Sequence, residues 1–166
     1  MIFHKNTRIV ITFFLFSLTL SCSSPSLIEY VPKNQKEKSI IRILIQYEDA
    51  KNNYDLDRFF ACLHERGLYN FAGGVMVSKE ELRRLLPAFW FDLKSNNPLI
   101  YPIGRESMSG NYFRTIRFFN PQIITNEDTA NVTLTFIYLG WRRRHYVSML
   151  RENDQWLITK LDWEQN

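Results

Sequence analysis

The sequence is poor in the residues that build most catalytic and metal sites. Its 166 residues include only two cysteines and three histidines, and no Cys or His pair has the spacing of a metal site. The Gly73-Gly74 pair lacks the further glycine and the Lys-Ser/Thr of a phosphate-binding loop. A Gly-x-Ser-x-Gly nucleophile elbow is also absent. These absences exclude the usual signatures of metalloenzymes, nucleotide-binding proteins and serine hydrolases, and we expect neither a cofactor nor a metal.

Strong net charge and long hydrophobic runs are missing as well. The formal net charge is +4, and Lys5 and Arg8 near the start of the chain supply two of these charges. So small a net positive charge is not typical of a nucleic-acid-binding domain, and no nucleic-acid partner is expected. The apolar run Ile9–Leu20 has twelve residues. As a helix it would span about 18 Å, which is too short for a bilayer core of about 30 Å.

Residues 1–21 have instead the pattern of a secretory signal peptide, a positive start followed by that apolar run. The run ends in Leu18-Thr-Leu-Ser-Cys22, which resembles the lipobox of bacterial lipoproteins. In that family the cysteine becomes the first mature residue and carries the lipid. The resemblance implies lipidation at Cys22, with palmitate, and anchoring in the bacterial cell envelope to a membrane that faces the periplasm. The alternative is an ordinary signal peptide cleaved near Ser21, which leaves Cys22 without a role.

The second cysteine and the densest basic cluster both have simple structural interpretations. Cys62 lies in the apolar stretch Phe59–Leu63 and is expected to pack in the core. The cluster Arg142–His145 is expected at a hairpin turn, where its charges are solvated. Contact of this cluster with anionic lipid headgroups is the alternative, because a lipid anchor would hold the domain near a membrane. His64 and His145 are expected to be surface residues or to have satisfied hydrogen bonds.

The chain after the signal divides into a linker and one domain. Residues 22–38 have Ser and Pro early, then Lys-rich sequence without apolar periodicity, so we expect a flexible tether that starts with the lipidated Cys22. Residues 39–166 are enough for a single domain with a substantial core. Ser39 is the candidate N-cap of the first helix. The stripe of that helix comprises the apolar residues Ile40, Ile41, Leu44 and Tyr47 and, one turn on, Lys51.

Two further helices and four strands are predicted. Asp55 is placed to cap a second helix that ends near Gly67, and Ser78 with Glu81 forms a capping box that opens a third. Residues 98–110 are expected to be irregular, either a mobile flap or a long connection. Beyond them, aromatic and β-branched runs bounded by polar turns favour four antiparallel strands. These strands are Tyr112–Ile123, Thr129–Leu139, His145–Arg151 and Trp156–Trp163.

This order of elements resembles the nuclear transport factor 2-like superfamily, in which a bent sheet wraps around a long helix to form a cone. The stretches that carry the resemblance are Tyr47–Phe59, Asn126–Phe136 and Leu150–Asp162. The implied fold class is α+β, with helices packed on a strongly bent antiparallel sheet of four to five strands. The superfamily includes ketosteroid isomerases, scytalone dehydratases, epoxide hydrolases and polyketide cyclases, and many members that only bind ligands or mediate assembly. No catalytic set of these enzymes aligns with this sequence.

Strand alternation predicts which polar residues line the cone. In the last strand Trp156, Ile158, Lys160 and Asp162 share one face. Tyr138 belongs to the more apolar face of the strand Thr129–Leu139. We predict that Tyr138, Lys160 and Asp162 provide the polar groups of a pocket for a small apolar ligand. The alternative is that this strand end leaves the core and that Lys160 and Asp162 are solvated.

The sequence alone leaves two functions open. The first is a non-enzymatic, lipid-anchored envelope protein whose cone binds a small apolar ligand or a protein partner. The second is a small-molecule isomerase, dehydratase or cyclase held at the membrane, and the lack of an assignable catalytic set favours the first. A homodimer is predicted through an apolar patch on the outer sheet face. The residues expected in that patch are Thr133, Thr135, Ile137, Leu139, Val147 and Met149.

Overall fold

Helices packed on a six-stranded sheet make up the fold in the computed structural model, which describes residues 24–71, 74–94, 116–138 and 141–163. At 92–94, 137, 138 and 141 only the backbone is described. The helices are α1 (Gln35–Asn53), α2 (Leu56–Ala61) and α3 (Lys79–Lys94). The strands are β1 (Leu63–Asn70), β2 (Met76–Ser78), β3 (Arg117–Thr125), β4 (Thr129–Tyr138), β5 (Trp141–Glu152) and β6 (Gln155–Trp163).

The sheet has the strand order β2-β1-β6-β5-β4-β3. Strands β3 to β6 form the predicted antiparallel meander, and β1 is added to it parallel to β6. The α+β class is thus confirmed, while the prediction of four to five antiparallel strands is wrong in number and in the direction of β1. The sequence pattern extends the second helix to Gly67. The helix instead ends at Ala61, and residues 63–67 belong to β1.

Gly67 explains why β1 is a strand at this point. The Tyr69 hydroxyl lies 2.7 Å from the His64 carbonyl oxygen and 2.8 Å from that of Ile158, so it joins β1 to β6. A Cβ atom at position 67 would overlap the Tyr69 hydroxyl and ring. Only glycine leaves room for this buried tyrosine, and the close approach fixes β1 beside β6 rather than in a helix.

The segment before α1 belongs to the folded domain. Leu27 is 1% exposed, its backbone N–H donates to the Phe118 carbonyl at 3.2 Å, and Ser26 forms a bridge with Phe119. The prediction of a flexible tether over residues 22–38 is therefore wrong for residues 24–38. The physical reason is that Leu27 buries an apolar side chain while its backbone pairs with the edge strand β3.

Helix α1 begins before Ser39, the predicted N-cap. Asn34 caps it instead, with Oδ1 accepting from the Glu37 backbone N–H at 2.9 Å. The Ser39 hydroxyl donates to the Gln35 carbonyl within the first turns of the helix. The predicted apolar stripe is confirmed, since all four of its residues are buried against the sheet: Ile40, Ile41, Leu44 and Tyr47.

Three other local predictions are confirmed. Asp55 caps α2 through the Arg58 N–H, and Ser78 and Glu81 exchange the two hydrogen bonds of a capping box at the start of α3. Cys62 is fully buried, and burial raises the pKa of its thiol to about 12. Cys22 and residues 98–110 lie outside the described residues. No helix of the described ranges is long and apolar enough to cross a membrane.

Candidate functional site

The arginine cluster lies within strand β5 rather than at the predicted hairpin turn. Arg143 pairs with Phe136 across the β4–β5 ladder, and His145 pairs with Leu134. Directly paired residues of antiparallel strands project from the same face of the sheet. Leu134 and Phe136 pack in the core, so Arg143 and His145 also project from the inner face. The arginines on either side of Arg143 are exposed on the outer face.

His145 occupies an aromatic environment. It is 3% exposed, its ring stacks on Phe118 at 5.3 Å and on Trp163 at 6.3 Å, and Phe136 meets it edge-on at 5.7 Å. Neither ring nitrogen has a hydrogen-bond partner among the described residues. The expectation that His145 is exposed or satisfied is therefore wrong, because its pairing with Leu134 places it on the inner face, together with Val147. His64, in contrast, contacts the Arg66 N–H and the Glu152 carboxylate, as expected.

The charge state of His145 follows from its burial. Removal from water lowers the pKa of the imidazole from 6.5 to about 3. The Lys51 charge lowers the pKa further, and the Asp162 carboxylate opposes the shift. At neutral pH the ring is therefore uncharged, with one nitrogen as a potential donor and the other as a potential acceptor. Both are available to a polar group that reaches them.

Lys51 brings a cation from α1 to the same region. It lies in the last turn of the helix, is largely buried, and places Nζ 5.4 Å from the centroid of the Tyr47 ring. Tyr47 in turn stacks on Phe118, the ring that also packs on His145. Burial lowers the pKa of the Lys51 ammonium to about 8. Within the described part of the chain, neither Lys51 nor Arg143 forms an ion pair with a carboxylate.

Hydrogen bonds fix the end of α1 to the start of β3 and so hold this arrangement together. The Phe118 N–H donates to Glu48 Oε2 at 2.7 Å, and the Asn52 side chain bonds both backbone groups of Ile116. The resulting group of side chains, which we call the His145 site, combines two cations and a neutral imidazole with aromatic rings. Its members are Lys51, Phe118, Phe136, Arg143, His145 and Trp163.

Two of the predicted pocket residues lie elsewhere. Lys160 is 52% exposed and pairs with Asp162 at 3.2 Å, and the Asp162 carboxylate also accepts from Asn70 Nδ2 at 3.1 Å. Asp162 is the cross-strand partner of the exposed Tyr146, whereas its neighbour Leu161 is buried. Lys160 and Asp162 are therefore on the outer face, and the prediction that they share a face with Trp156 and Ile158 is wrong.

A β-bulge causes this reversal. Ser148 pairs with Lys160 but Met149 pairs with Ile158, so Thr159 is an extra residue in β6. One extra residue turns the following side chains to the opposite face, which takes Lys160 and Asp162 outward and Leu161 inward. The Asn70 hydrogen bond lowers the pKa of Asp162, the opposite of what a general acid requires. In the alternation of β4, Tyr138 belongs to the same set of residues as Leu134 and Phe136. Its side chain lies outside the described residues.

The outer sheet face is also more polar than predicted. Val147 and Met149, expected there, are both buried in the core, because they alternate with the outward residues of β5. The described outer residues of β4 and β5 are mostly polar. They include Asn131, Thr133, Thr135, Arg144, Tyr146 and Ser148. Self-association through this face stays a prediction, without the apolar patch that motivated it.

Other positions are weaker candidates for a ligand site. A surface cleft of about 230 Å³ lies at the opposite end of α1. Its cations are engaged, because Lys36 donates to the carbonyls of Asn126 and Glu127 and Arg151 pairs with Asp154. Among the described side chains, no group of three or more His, Cys, Asp or Glu residues is arranged to hold a metal ion. The sequence pattern did not reveal the His145 site, because Val147 and Met149 are expected on the outer face and His145 shares their face. The alternation of His145 with these two apolar residues was the available signal.

Neither a family model nor a curated protein sequence matches this chain. Solved structures do match it. A protein of unknown function with a cystatin-like fold from Nostoc punctiforme is 18% identical, with a TM-score of 0.55, and the match covers 82% of this chain and 96% of that one. An NTF2-like protein from Cytophaga hutchinsonii is 15% identical, with a TM-score of 0.58 and coverage of 80% and 99%. A candidate scytalone dehydratase from Novosphingobium aromaticivorans is 12% identical, with a TM-score of 0.53 and coverage of 79% and 84%.

Similarity at this level of identity establishes architecture and carries no information about activity. The three matches nevertheless have TM-scores of 0.53 to 0.58 over 79–82% of this chain, which shows a shared fold. The chain therefore has the nuclear transport factor 2-like cone fold.

Proposed function

We propose that the protein binds a small, mainly apolar ligand at the His145 site, without catalysing a reaction, and that a lipid on Cys22 anchors it in the bacterial cell envelope. The observation that carries the binding proposal is the buried imidazole of His145, neither nitrogen of which has a hydrogen-bond partner among the described residues. The Cys22 proposal rests on the lipobox resemblance of Leu18–Cys22.

The energetics of His145 favour a ligand. A buried polar group without a partner costs about 1–3 kcal/mol. A phenyl ring would fill the same space between Phe118 and Trp163 and avoid this cost. A polar group of a bound molecule would offset the cost, with the surrounding rings contacting its apolar part. Small-molecule sites commonly have this composition, many apolar contacts and a few directed polar groups.

The pKa values of His145 and Asp162 disfavour acid–base catalysis by these two residues. A general base works best with a pKa near the operating pH, whereas the pKa of His145 is about 3. Asp162 is on the outer face, with a lowered pKa. An isomerase, dehydratase or cyclase is the alternative, and it would depend on Lys51, whose pKa burial lowers to about 8.

Calorimetric titration with 2-naphthamide, a neutral aromatic probe with one polar group, tests the binding proposal. The purified protein is expected to bind the probe, and His145→Phe is expected to weaken binding about 2- to 10-fold because one hydrogen bond is lost. His64→Phe is the control, since His64 contacts Arg66 and Glu152 rather than the site. Absence of binding, or equal binding by His145→Phe, would overturn the proposal.

Metabolic labelling tests the anchor. Labelled palmitate is expected to enter the wild-type protein, and Cys22→Ala is expected to abolish incorporation and release the protein from the membrane fraction. Cys62→Ala is the matched control, because Cys62 is buried in the core and has no access to a lipid-transfer enzyme. Incorporation that survives Cys22→Ala would refute anchoring at this residue.

A further inference from the structure

We propose that the ligand is an apolar acid, whose anionic group faces Lys51 and Arg143 and whose apolar part contacts the aromatic rings of the His145 site. This inference rests on the proposed function and specifies the class of ligand. It follows from the balance of charges on the inner face, the exposure of the two cations and the position of the uncharged imidazole between the rings.

Among the described residues, the inner face presents cations without matching carboxylates. Lys51 comes from α1 and Arg143 from β5, and both are only partly exposed. Glu48 accepts from the Phe118 N–H, and Asp162 is held on the outer face by Asn70 and Lys160. Two partly buried cations without an ion pair in the described part of the chain favour an anion from outside it.

Other cations of the described structure provide a comparison with Lys51 and Arg143. Arg58, Lys79 and Arg151 each pair with a carboxylate at 2.6 Å. Even Lys79, whose side chain is almost completely buried, has both Glu65 and the Leu63 carbonyl oxygen as partners. The protein therefore supplies hydrogen-bond and ion-pair partners for this buried ammonium group from its own residues. The contact that the described residues give Lys51 is the face of the Tyr47 ring, which is a weaker partner than a carboxylate.

The two cations belong to one end of the cone. Asn52, the residue after Lys51, bonds the Ile116 backbone, which directly precedes β3. Strand β3 pairs with the end of β4, and Phe118 is the partner of Phe136 in this ladder. Phe136 is also the partner of Arg143 in the ladder between β4 and β5. Lys51 reaches the same end through Tyr47, whose ring centroid lies 5.4 Å from Nζ and whose ring stacks on Phe118. An acid that enters at this end would meet both charges.

The aromatic rings define the other half of the ligand. Phe136 and Trp163 are only partly buried, and both lie against the His145 ring. Their exposed parts give an apolar body a surface beside the cations. A cationic ligand would be repelled by Lys51 and Arg143, and a neutral apolar one would leave these charges unpaired after removing them further from water. An apolar acid satisfies the charges and the rings together.

Comparison of 2-naphthoate with 2-naphthamide tests the inference, because the two probes share a ring system and differ in charge. The wild-type protein is expected to bind the carboxylate about tenfold more tightly at pH 7. Arg143→Gln is expected to weaken binding of 2-naphthoate more than binding of 2-naphthamide and so to remove most of this preference. Lys51→Met is expected to act in the same direction, since its ammonium remains protonated at that pH.

Two neighbouring residues provide matched controls. Arg144→Gln removes the adjacent charge from the outer face of β5, and Lys38→Met removes an exposed charge from α1. Both variants are expected to retain the wild-type preference for the carboxylate. Equal binding of the two probes by the wild type, or an equal loss in Arg143→Gln and Arg144→Gln, would overturn the apolar-acid inference alone. Failure of both probes to bind would overturn the proposed function with it.

Discussion

The Asn52 side chain bonds both backbone groups of Ile116. Asn52 Nδ2 donates to the Ile116 carbonyl oxygen at 2.9 Å, and the Ile116 N–H donates to Asn52 Oδ1 at 2.7 Å. One helix residue thereby satisfies both backbone polar groups of the residue that precedes β3. The contact fixes the end of α1, and with it Lys51, against the sheet edge next to the His145 site.

Asn52→Leu is expected to lower the free energy of unfolding by roughly 2–4 kcal/mol, because two partly buried backbone groups lose their partner. Urea denaturation followed by circular dichroism measures the change. Asn53→Leu is the control, since Asn53 bonds only Asp49 of its own helix, and a change within about 0.5 kcal/mol is expected. Equal effects of the two variants would show that the contact with Ile116 contributes little.

Leu27→Ala is expected to destabilise the fold by roughly 2–5 kcal/mol, the usual cost of truncating a buried leucine. Ile28→Ala should change stability by less than about 0.5 kcal/mol, because Ile28 is 78% exposed. The comparison by thermal or urea denaturation tests whether residues 24–38 are part of the folded domain. Similar small changes in both variants would support the flexible tether that the sequence predicted.

The bulge at Thr159 predicts opposite outcomes at adjacent positions of β6. Leu161→Ala is expected to cost roughly 2–5 kcal/mol, because Leu161 is buried. Lys160→Ala should cost no more than about 1 kcal/mol, since its ion pair with Asp162 is solvent-exposed. Simple alternation from Ile158 would give the reverse order. Denaturation of the two variants under the same conditions therefore decides which residues face the core.

His145 is expected to make stability depend on pH in the acid range. Because its folded pKa is about 3 and its ordinary value is 6.5, the unfolded chain takes up a proton as the pH falls through 6.5 while the folded protein does not. The free energy of unfolding should thus be highest above pH 6.5 and decrease toward pH 3. His145→Phe should flatten this dependence and raise stability at pH 7 by about 1–3 kcal/mol, since no unpaired nitrogen remains.

Urea denaturation of both proteins between pH 7 and pH 4 measures this difference. The other titratable groups are common to the two chains, so their contributions cancel in the comparison. An unchanged slope in His145→Phe would mean that His145 is protonated or solvated in the folded state. That result would also remove the main observation behind the proposed ligand site.

Local patterns in the sequence determined much of the fold. The stripe Ile40–Tyr47, the caps at Asp55 and Ser78, and the strands after Arg117 follow from side-chain periodicity, capping and turn residues. These features depend on neighbours a few residues apart along the chain. The α+β class was predictable from the order of these elements, whereas the cone fold was implied by the resemblance to the nuclear transport factor 2-like superfamily.

Tertiary structure decided which residues face the interior. The parallel pairing of β1 with β6 depends on Tyr69 reaching the Ile158 carbonyl past Gly67, a contact between distant segments. The bulge at Thr159 exists because β6 must match β5, and it moved Lys160 and Asp162 outward. Phe136 pairs with Arg143, and the register of β4 and β5 set by this pairing places His145 on the inner face. Because side chains alternate with a period of two, one residue of register decides between core and solvent, and only the pairing of strands sets that register.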